Sequence, residues 1–153
     1  MENFNNEYKK YRKWLTVKYN TKNGINELKT KKIPAKHGVY IIRSSKPLNR
    51  VNGNSDIIYI GQSGGGIKAG KQGIGSKEDS QGRLFNTRNS HEIKVRKKIE
   101  ELHPNSKFKV EYYLKKVNQD PKIIENDLLL AYFNDHFELP PANNHMPNFS
   151  KSH

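Results

Sequence analysis

Two short apolar segments decide the fold of this chain: residues 38–42, Gly-Val-Tyr-Ile-Ile, and residues 57–61, Ile-Ile-Tyr-Ile-Gly. Both are rich in β-branched and aromatic residues, which favour the pleated, half-buried surface of a sheet. The connection between them contains Pro47 and the pair Asn52-Gly53, which are typical of turns and longer loops. The sequence therefore predicts two strands paired as an antiparallel hairpin, each with one tyrosine close to a glycine.

A third strand and several helices are predicted after the hairpin. Residues 107–114 alternate between apolar and polar side chains, and we expect this strand to complete a three-stranded sheet. Asp120 can cap a helix and Pro121 can take its first position, so a helix is predicted to run to about residue 136. Two further helices are expected within residues 80–102. The predicted fold class is mixed α/β, of the α+β kind: a small, mainly antiparallel three-stranded sheet flanked by helices.

The first 36 residues are predicted to form a basic helix and arm. Spacings of three and four place five apolar residues on one face of a helix over residues 4–19: Phe4, Tyr8, Tyr11, Leu15 and Tyr19. The segment also holds ten basic residues against three acidic ones. Two interpretations stay open, a basic arm that grips the DNA backbone and an amphipathic helix packed on the domain with a solvated lysine face.

The composition narrows the class of protein. Its 153 residues suit a single domain that buries a core without disulfides or metals. The absence of cysteine excludes a disulfide scaffold and cysteine-ligated zinc, and it fits a reducing compartment. The longest apolar run, residues 128–133, is far shorter than the roughly 18 residues of a membrane span, and the first residues do not resemble a signal peptide. We therefore expect a cytoplasmic protein without a membrane anchor.

The chain is strongly basic, with 28 Lys and Arg against 15 Asp and Glu and a formal net charge of +13. Such a field attracts polyanions and speeds their association, so nucleic acid is the expected partner. The alternative is a lysine-rich protein with no polyanion to bind, because an AT-rich coding sequence also raises the lysine content.

The tripeptides Gly38-Val39-Tyr40 and Tyr59-Ile60-Gly61 resemble the signature of the GIY-YIG nuclease family, with Val39 in place of the central isoleucine. Later landmarks of that family follow in the same order, namely Arg83, Glu125 and either Asn143 or Asn144, of which we choose Asn143. The resemblance covers about residues 38–144. It implies a nuclease domain over residues 37–144, after the basic segment 1–36 and before an irregular tail, 145–153.

The resemblance implies a role for each landmark. Tyr40 would be the general base or would position the attacking water, and Tyr59 would hold the phosphate or share in proton transfer. Arg83 would clamp the phosphate with its guanidinium group, and Asn143 would support the site. Without the resemblance, either tyrosine is better explained as a cross-strand core aromatic and Asn143 as a loop amide that caps backbone groups.

Glu125 is the landmark with a special position on its helix. Leu128, Leu129 and Tyr132 follow it at helical spacing, so its carboxylate projects along the apolar stripe. Geometry alone predicts a boundary residue whose stem packs while its head reaches water or an arginine. The resemblance implies instead that Glu125 binds one divalent ion, Mg²⁺ or alternatively Mn²⁺, at the scissile phosphate.

One landmark of the family is missing. Many relatives carry a histidine one helical turn beyond the arginine, where this chain has Thr87. His91 and His37 are the candidates to replace it, although His91 is also explained as a surface residue. No histidine pair has the spacing of metal ligands, so a zinc site is not expected.

Residues 62–77 are predicted to form a flexible loop, because six glycines fall between positions 64 and 75. Gly65, Gly70 and Lys71 satisfy part of a phosphate-loop pattern, but Gln72 stands where that motif needs Ser or Thr, and no helix follows at once. The connection is longer than in compact relatives, so we expect an inserted loop that closes over DNA. The basic residues expected to contact DNA are Lys9, Lys10, Arg12, Lys13, Lys68, Lys71, Lys77 and Arg88.

The predicted function is magnesium-dependent hydrolysis of phosphodiester bonds in DNA, by a compact restriction-type endonuclease or a phage or mobile-element nuclease. No zinc finger or helix-turn-helix is evident, so specificity is expected from the basic arm, the loop or an oligomer such as a homodimer. Two alternatives stay open: a non-catalytic nucleic-acid-binding module on the same scaffold, and a structure-specific or single-strand-specific nuclease of the repair type.

Overall fold

The computed structural model describes residues 1–20, 33–65, 73–74, 97–98, 100–101 and 107–146. The elements are helix α1 (Glu2–Lys10), strands β1 (Leu15–Asn20), β2 (Gly38–Asn49), β3 (Asn54–Ser63) and β4 (Lys107–Leu114), and helix α2 (Pro121–His136). The strands form one antiparallel sheet in the order β1-β4-β2-β3. The mixed α+β class is confirmed, but the described sheet has four strands where three were expected.

The predicted hairpin is confirmed. β2 and β3 pair antiparallel, with Gly38 opposite Ser63 and Tyr40 opposite Gly61. The turn is tighter than the sequence indicated, because the backbone N–H of Arg50 donates to the carbonyl of Gly53 at 2.9 Å. Pro47 lies within β2 and not in the turn, at a shift in the strand register. A proline is tolerated there because the ladder of hydrogen bonds is already interrupted.

The prediction of a helix over residues 4–19 is wrong beyond Lys10. α1 ends there, Tyr11 is extended, and the chain turns at Lys13, which has a φ of 76°. Residues 15–20 then pair with β4, from Leu15 opposite Tyr112 onward. Because the apolar residues of that stretch also alternate in a period of two, the same residues fit a strand, and pairing with β4 satisfies its backbone groups.

Buried and partly buried polar contacts connect the N-terminal helix to the rest of the domain. The carboxylate of Asp135 accepts hydrogen bonds from the backbone N–H of Asn3 at 3.1 Å and from that of Phe4 at 2.8 Å. The hydroxyl of Tyr8 donates to Glu111 on β4 at 2.6 Å, and burial together with this bond raises the pKa of Tyr8. The boundary predicted at residue 36 therefore falls between two strands of one sheet.

The core lies on both faces of the sheet. The face under α1 and α2 packs a cluster that includes Phe4, Ile41, Ile60, Leu128 and Tyr132. Side chains alternate along a strand, so Tyr40, between Val39 and Ile41 on β2, points to the opposite face. The cluster on that face includes Tyr40, Ile58, Tyr59, Val110 and Tyr112. Both signature tyrosines are thus part of the core.

Helix α2 begins and ends as predicted. The side chain of Asp120 accepts a hydrogen bond from the backbone N–H of Lys122 at 2.8 Å, and Pro121 takes the first helical position. Phe137, with a φ of 59°, ends the helix. Of the helices expected within residues 80–102, positions 97, 98, 100 and 101 are described, and all four are helical. No helix within the described ranges is long and apolar enough to span a membrane.

Candidate active site

The two signature tyrosines meet over a glycine. The rings of Tyr40 and Tyr59 have centroids 5.9 Å apart and planes inclined at 44°. Gly61 lies opposite Tyr40 in the hairpin, and a Cβ atom placed on it would stand 2.7 Å from Tyr40 Oη and 2.6 Å from Tyr59 Cε1. A side chain at position 61 would clash with both rings, so the second signature glycine permits the two phenols to take these positions.

The first signature glycine has a different structural reason. A Cβ atom on Gly38 would stand 2.0 Å from the carbonyl oxygen of Tyr113. At Gly38 and Tyr113, β2 and β4 therefore approach each other more closely than a side chain on Gly38 would permit. Both glycines of the signature are explained by close packing around β2, which holds Tyr40 in place.

Helix α2 brings Glu125 close to strand β3 of the sheet. Glu125 lies one turn after the start of the helix, and its side chain is only 12% exposed. Its Oε2 atom is 3.1 Å from Nζ of Lys122, a half-exposed residue three positions earlier. A mostly buried carboxylate needs such a cation, because removal from water disfavours the charged form.

A cavity of about 210 Å³ lies between α2, the edge strand β3 and the segment after α2. Its wall includes Tyr59 and Gln62 from β3, Lys122 and Glu125 from α2, and Asn143 and His145 from the following segment. One water needs only about 10–15 Å³ of such space, so the cavity has room for a phosphate group and several waters. It is below the roughly 300–1,000 Å³ of pockets that enclose a whole small-molecule ligand.

Asn143 binds the backbone of the strand that carries Tyr59. Its Oδ1 atom accepts a hydrogen bond from the backbone N–H of Ile60 at 3.0 Å, and its Nδ2 donates to the carbonyl of Ile60 at 2.8 Å. The backbone N–H of Ala142 donates to the carbonyl of Ile58 at 3.0 Å. The amide of Asn143 therefore acts as a strand partner at the β3 edge. Asn144 also lines the cavity but is exposed.

The predicted site residues are only partly brought together. Tyr59, Glu125 and Asn143 share the cavity, whereas Tyr40 is not among its wall residues and is connected to it through its contact with Tyr59. His37 is also absent from the described wall. Its ring packs on Gly64 and lies 3.5 Å from Ser63 Oγ.

Several predicted residues fall outside the described part of the chain. These are Arg83 and His91, together with the DNA-contact candidates Lys68, Lys71, Lys77 and Arg88. The four N-terminal candidates are described and exposed, but none is among the described wall residues of the cavity: Lys9, Lys10, Arg12 and Lys13. Lys10 forms an ion pair with Glu7 on α1.

The structure adds wall residues that sequence reasoning missed. Lys122 had a usable signal, because a lysine three positions before a glutamate on a predicted helix is placed to contact it. Gln62 carried no such signal, although it follows the second signature tripeptide directly and bonds the backbone N–H of Gly65 at 2.8 Å. His145 lies two positions after Asn143. Its place in the cavity wall depends on how the segment after α2 folds back onto β3, which the sequence does not indicate.

The residues present fit one hard divalent cation. Within the described ranges, no three His, Cys, Asp or Glu side chains gather into a metal-binding group. Glu125 would be the single carboxylate ligand of such an ion, and its carboxylate lies beside a positive charge, the ammonium group of Lys122, at the polar cavity. Mg²⁺ accepts such a site, because it keeps most of its waters and binds through one or two carboxylates and substrate phosphates.

Comparison of the chain with protein-family models, with curated proteins and with solved structures finds no match.

Proposed function

We propose that this chain is a divalent-metal-dependent endonuclease of the GIY-YIG type, which hydrolyses phosphodiester bonds in DNA. The observation that carries the proposal is the shared cavity of Tyr59, Glu125 and Asn143, three residues from separate parts of the chain. Tyr40 and Gly61 support it, because the signature glycine is needed for the contact between the two phenols.

In this proposal Glu125 holds Mg²⁺ or Mn²⁺. The bound ion would neutralise charge on the scissile phosphate and on the leaving oxygen. Glu125 is suited to this task because α2 fixes its stem among buried residues while its carboxylate faces a polar cavity. The cavity has room for the phosphate and the waters of the ion.

The two tyrosines take different parts. Tyr59 lines the cavity and is placed to contact the phosphate. Tyr40 is the proposed proton acceptor or water-positioning residue, by the resemblance, and the Tyr59 ring connects it to the cavity. Arg83 is proposed to clamp the phosphate, and Asn143 fixes the strand that carries Tyr59 through its two bonds to Ile60. The net charge of +13 favours DNA as the substrate.

A second candidate is a nucleic-acid-binding module without catalysis. The observation that favours it is the ion pair between Lys122 and Glu125, because a carboxylate that already has a counter-ion does not require a metal. The finer division of the enzyme class, into restriction-type, mobile-element and structure-specific or single-strand-specific repair nucleases, belongs to the same proposal and depends on the substrate.

Incubation of the protein with supercoiled plasmid separates the two candidates. We expect nicked or linear product with Mg²⁺ or Mn²⁺ and intact plasmid with EDTA. A panel of duplex, single-stranded and branched oligonucleotides, with sequencing of the cut ends, then defines the substrate. Binding of this panel without cleavage under any of the metals would favour the binding module and contradict the nuclease.

A further inference from the structure

We infer that Lys122 is a built-in counter-ion of Glu125. In the free protein its ammonium group occupies the metal position, and it moves to a phosphate oxygen of the nucleic acid when a divalent ion binds. The inference rests on the proposed function, since it takes Glu125 as the metal ligand. It gives a role to Lys122, which the GIY-YIG resemblance does not include. The movement of the ammonium group would make metal and nucleic acid bind cooperatively.

The backbone of Lys122 is fixed, whereas its ammonium group is free to change position. Its backbone N–H donates a hydrogen bond to the side chain of Asp120 at 2.8 Å. Gly65 packs so closely that a Cβ atom there would stand 2.4 Å from the backbone nitrogen of Lys122. Its side chain is 53% exposed, against 12% for Glu125. The ammonium group can therefore leave the carboxylate without disturbing the helix, while the carboxylate stays in place.

The position of Lys122 is unfavourable for helix stability. It lies in the first turn of α2, where the helix dipole favours negative side chains, and no acidic residue occurs in that turn. An i, i+3 pair with a glutamate offsets this only in part, because pairs with an exposed partner contribute little. A lysine at this place is better explained by what its ammonium group does at the cavity than by stability.

A divalent ion and the ammonium group compete for the same oxygen. A cation bound to Glu125 Oε2 would lie within a few ångströms of Lys122 Nζ, and like charges at that distance repel each other. The released ammonium group remains at the cavity wall on a flexible stem. A phosphate oxygen in the cavity would then be within its reach, and lysine binds phosphates well as a compact point charge.

Linkage gives this arrangement a measurable consequence. Because the ammonium group opposes the metal in the free protein and favours the phosphate after release, nucleic acid should tighten metal binding. By reciprocity, the metal should tighten nucleic-acid binding by the same factor. Replacing Lys122 with an uncharged residue should remove both effects together.

The test is a Mn²⁺ titration of the free protein followed by electron paramagnetic resonance. We expect Lys122→Gln to bind Mn²⁺ roughly two- to fivefold more tightly than the wild type, the effect of one like charge at a partly exposed site. Lys122→Arg, which keeps the charge, should resemble the wild type, and Glu125→Gln should lose binding. Lys109→Gln is the matched control, because Lys109 forms a similar pair with Glu111 at 3.2 Å and is not a wall residue.

The titration is repeated with a short phosphorothioate duplex, which resists hydrolysis. We expect the duplex to tighten Mn²⁺ binding by a larger factor in the wild type than in Lys122→Gln. Equal Mn²⁺ affinity of wild type and Lys122→Gln in the free protein, or an equal effect of the duplex on both, overturns the inference and leaves the nuclease proposal standing. Absence of Mn²⁺ binding in every protein overturns the nuclease proposal and the inference with it.

Discussion

Asn143 pairs with the outer edge of β3 through two hydrogen bonds, of 3.0 and 2.8 Å, to the backbone of Ile60. The residue next to Ile60 is Tyr59, which lines the candidate active site. The bonds of Asn143 therefore serve the fold and the site at once, because they fix the strand segment that positions the phenol.

Replacement of Asn143 should destabilise the domain. Asn143→Ala removes both bonds to Ile60, and we expect a loss of roughly 1–3 kcal/mol in the free energy of unfolding. Urea denaturation followed by circular dichroism measures it. Asn144→Ala is the matched control, because that neighbouring side chain is exposed, and it should change stability by less than about 0.5 kcal/mol. Equal effects of the two variants would contradict the structural role of Asn143.

Asp135 should make stability depend on pH. Burial favours the neutral acid, but the hydrogen bonds from Phe4 and Asn3 outweigh it and lower the pKa of Asp135. A lowered pKa contributes stability above the ordinary aspartate value, and that contribution is lost as the pH falls through the folded-state value. Asp135→Asn should therefore cost about 1–2 kcal/mol at neutral pH and less below pH of about 3.9.

Urea denaturation at several pH values checks this prediction. Asp120→Asn is the control, because asparagine caps a helix as well as aspartate does, and its cost should be small at every pH. A cost of Asp135→Asn that stays constant from neutral to acid pH would show that the carboxylate charge is not what anchors α1.

The two tyrosines should differ in single-turnover cleavage at saturating Mg²⁺. Loss of the proton-handling phenol typically costs about 10²- to 10⁴-fold in rate, and we expect Tyr40→Phe to fall in that range. Tyr59→Phe should retain more activity, since Arg83 and the metal would still hold the phosphate. His37→Ala should cleave at close to the wild-type rate, because His37 is not a described wall residue of the cavity. A near-normal rate for Tyr40→Phe, with a large loss in His37→Ala or His91→Ala, would make a histidine the proton acceptor.

The contribution of the N-terminal basic residues to DNA binding is best tested by replacing their charges. Truncation would remove β1 from the sheet and the buried Phe4 from the core. The variant replaces Lys9, Lys10, Arg12 and Lys13 with glutamine. Each lost phosphate contact should reduce the slope of log affinity against log salt by about 0.9 in metal-free DNA binding. The control replaces four other exposed lysines, Lys46, Lys97, Lys98 and Lys116. Equal slopes in the two variants would show that the four N-terminal basic residues do not grip DNA.

Local pattern was sufficient for part of the fold. The hairpin, β4 and α2 were predictable because strand propensity, alternation and a capped helix start agree with the tertiary contacts at those places. The N-terminal segment was not, because Leu15 and Tyr19 fit both a helical and an alternating pattern. The choice was decided by pairing with β4, which lies almost a hundred positions away.

The candidate site was predictable only where the resemblance reached it. Tyr59, Glu125 and Asn143 were named from the sequence, and the structure places them around one cavity. The bonds between Asn143 and Ile60 could not be predicted, because they depend on how the segment after α2 returns to β3. The pairing of Lys122 with Glu125 was accessible from helical spacing, but nothing in the sequence indicates that the pair faces a cavity.

The most direct test of the nuclease proposal is the single-turnover cleavage rate of Glu125→Gln at saturating Mg²⁺, measured beside its DNA affinity in EDTA. The change keeps the shape of the side chain and removes the charge proposed to hold the metal. We expect the rate to fall by at least roughly 10²-fold, with DNA affinity and unfolding midpoint nearly unchanged. Glu2→Gln, an exposed glutamate on α1, should cleave like the wild type. A Glu125→Gln protein that cleaves at the wild-type rate would contradict the assignment of Glu125 as the metal ligand.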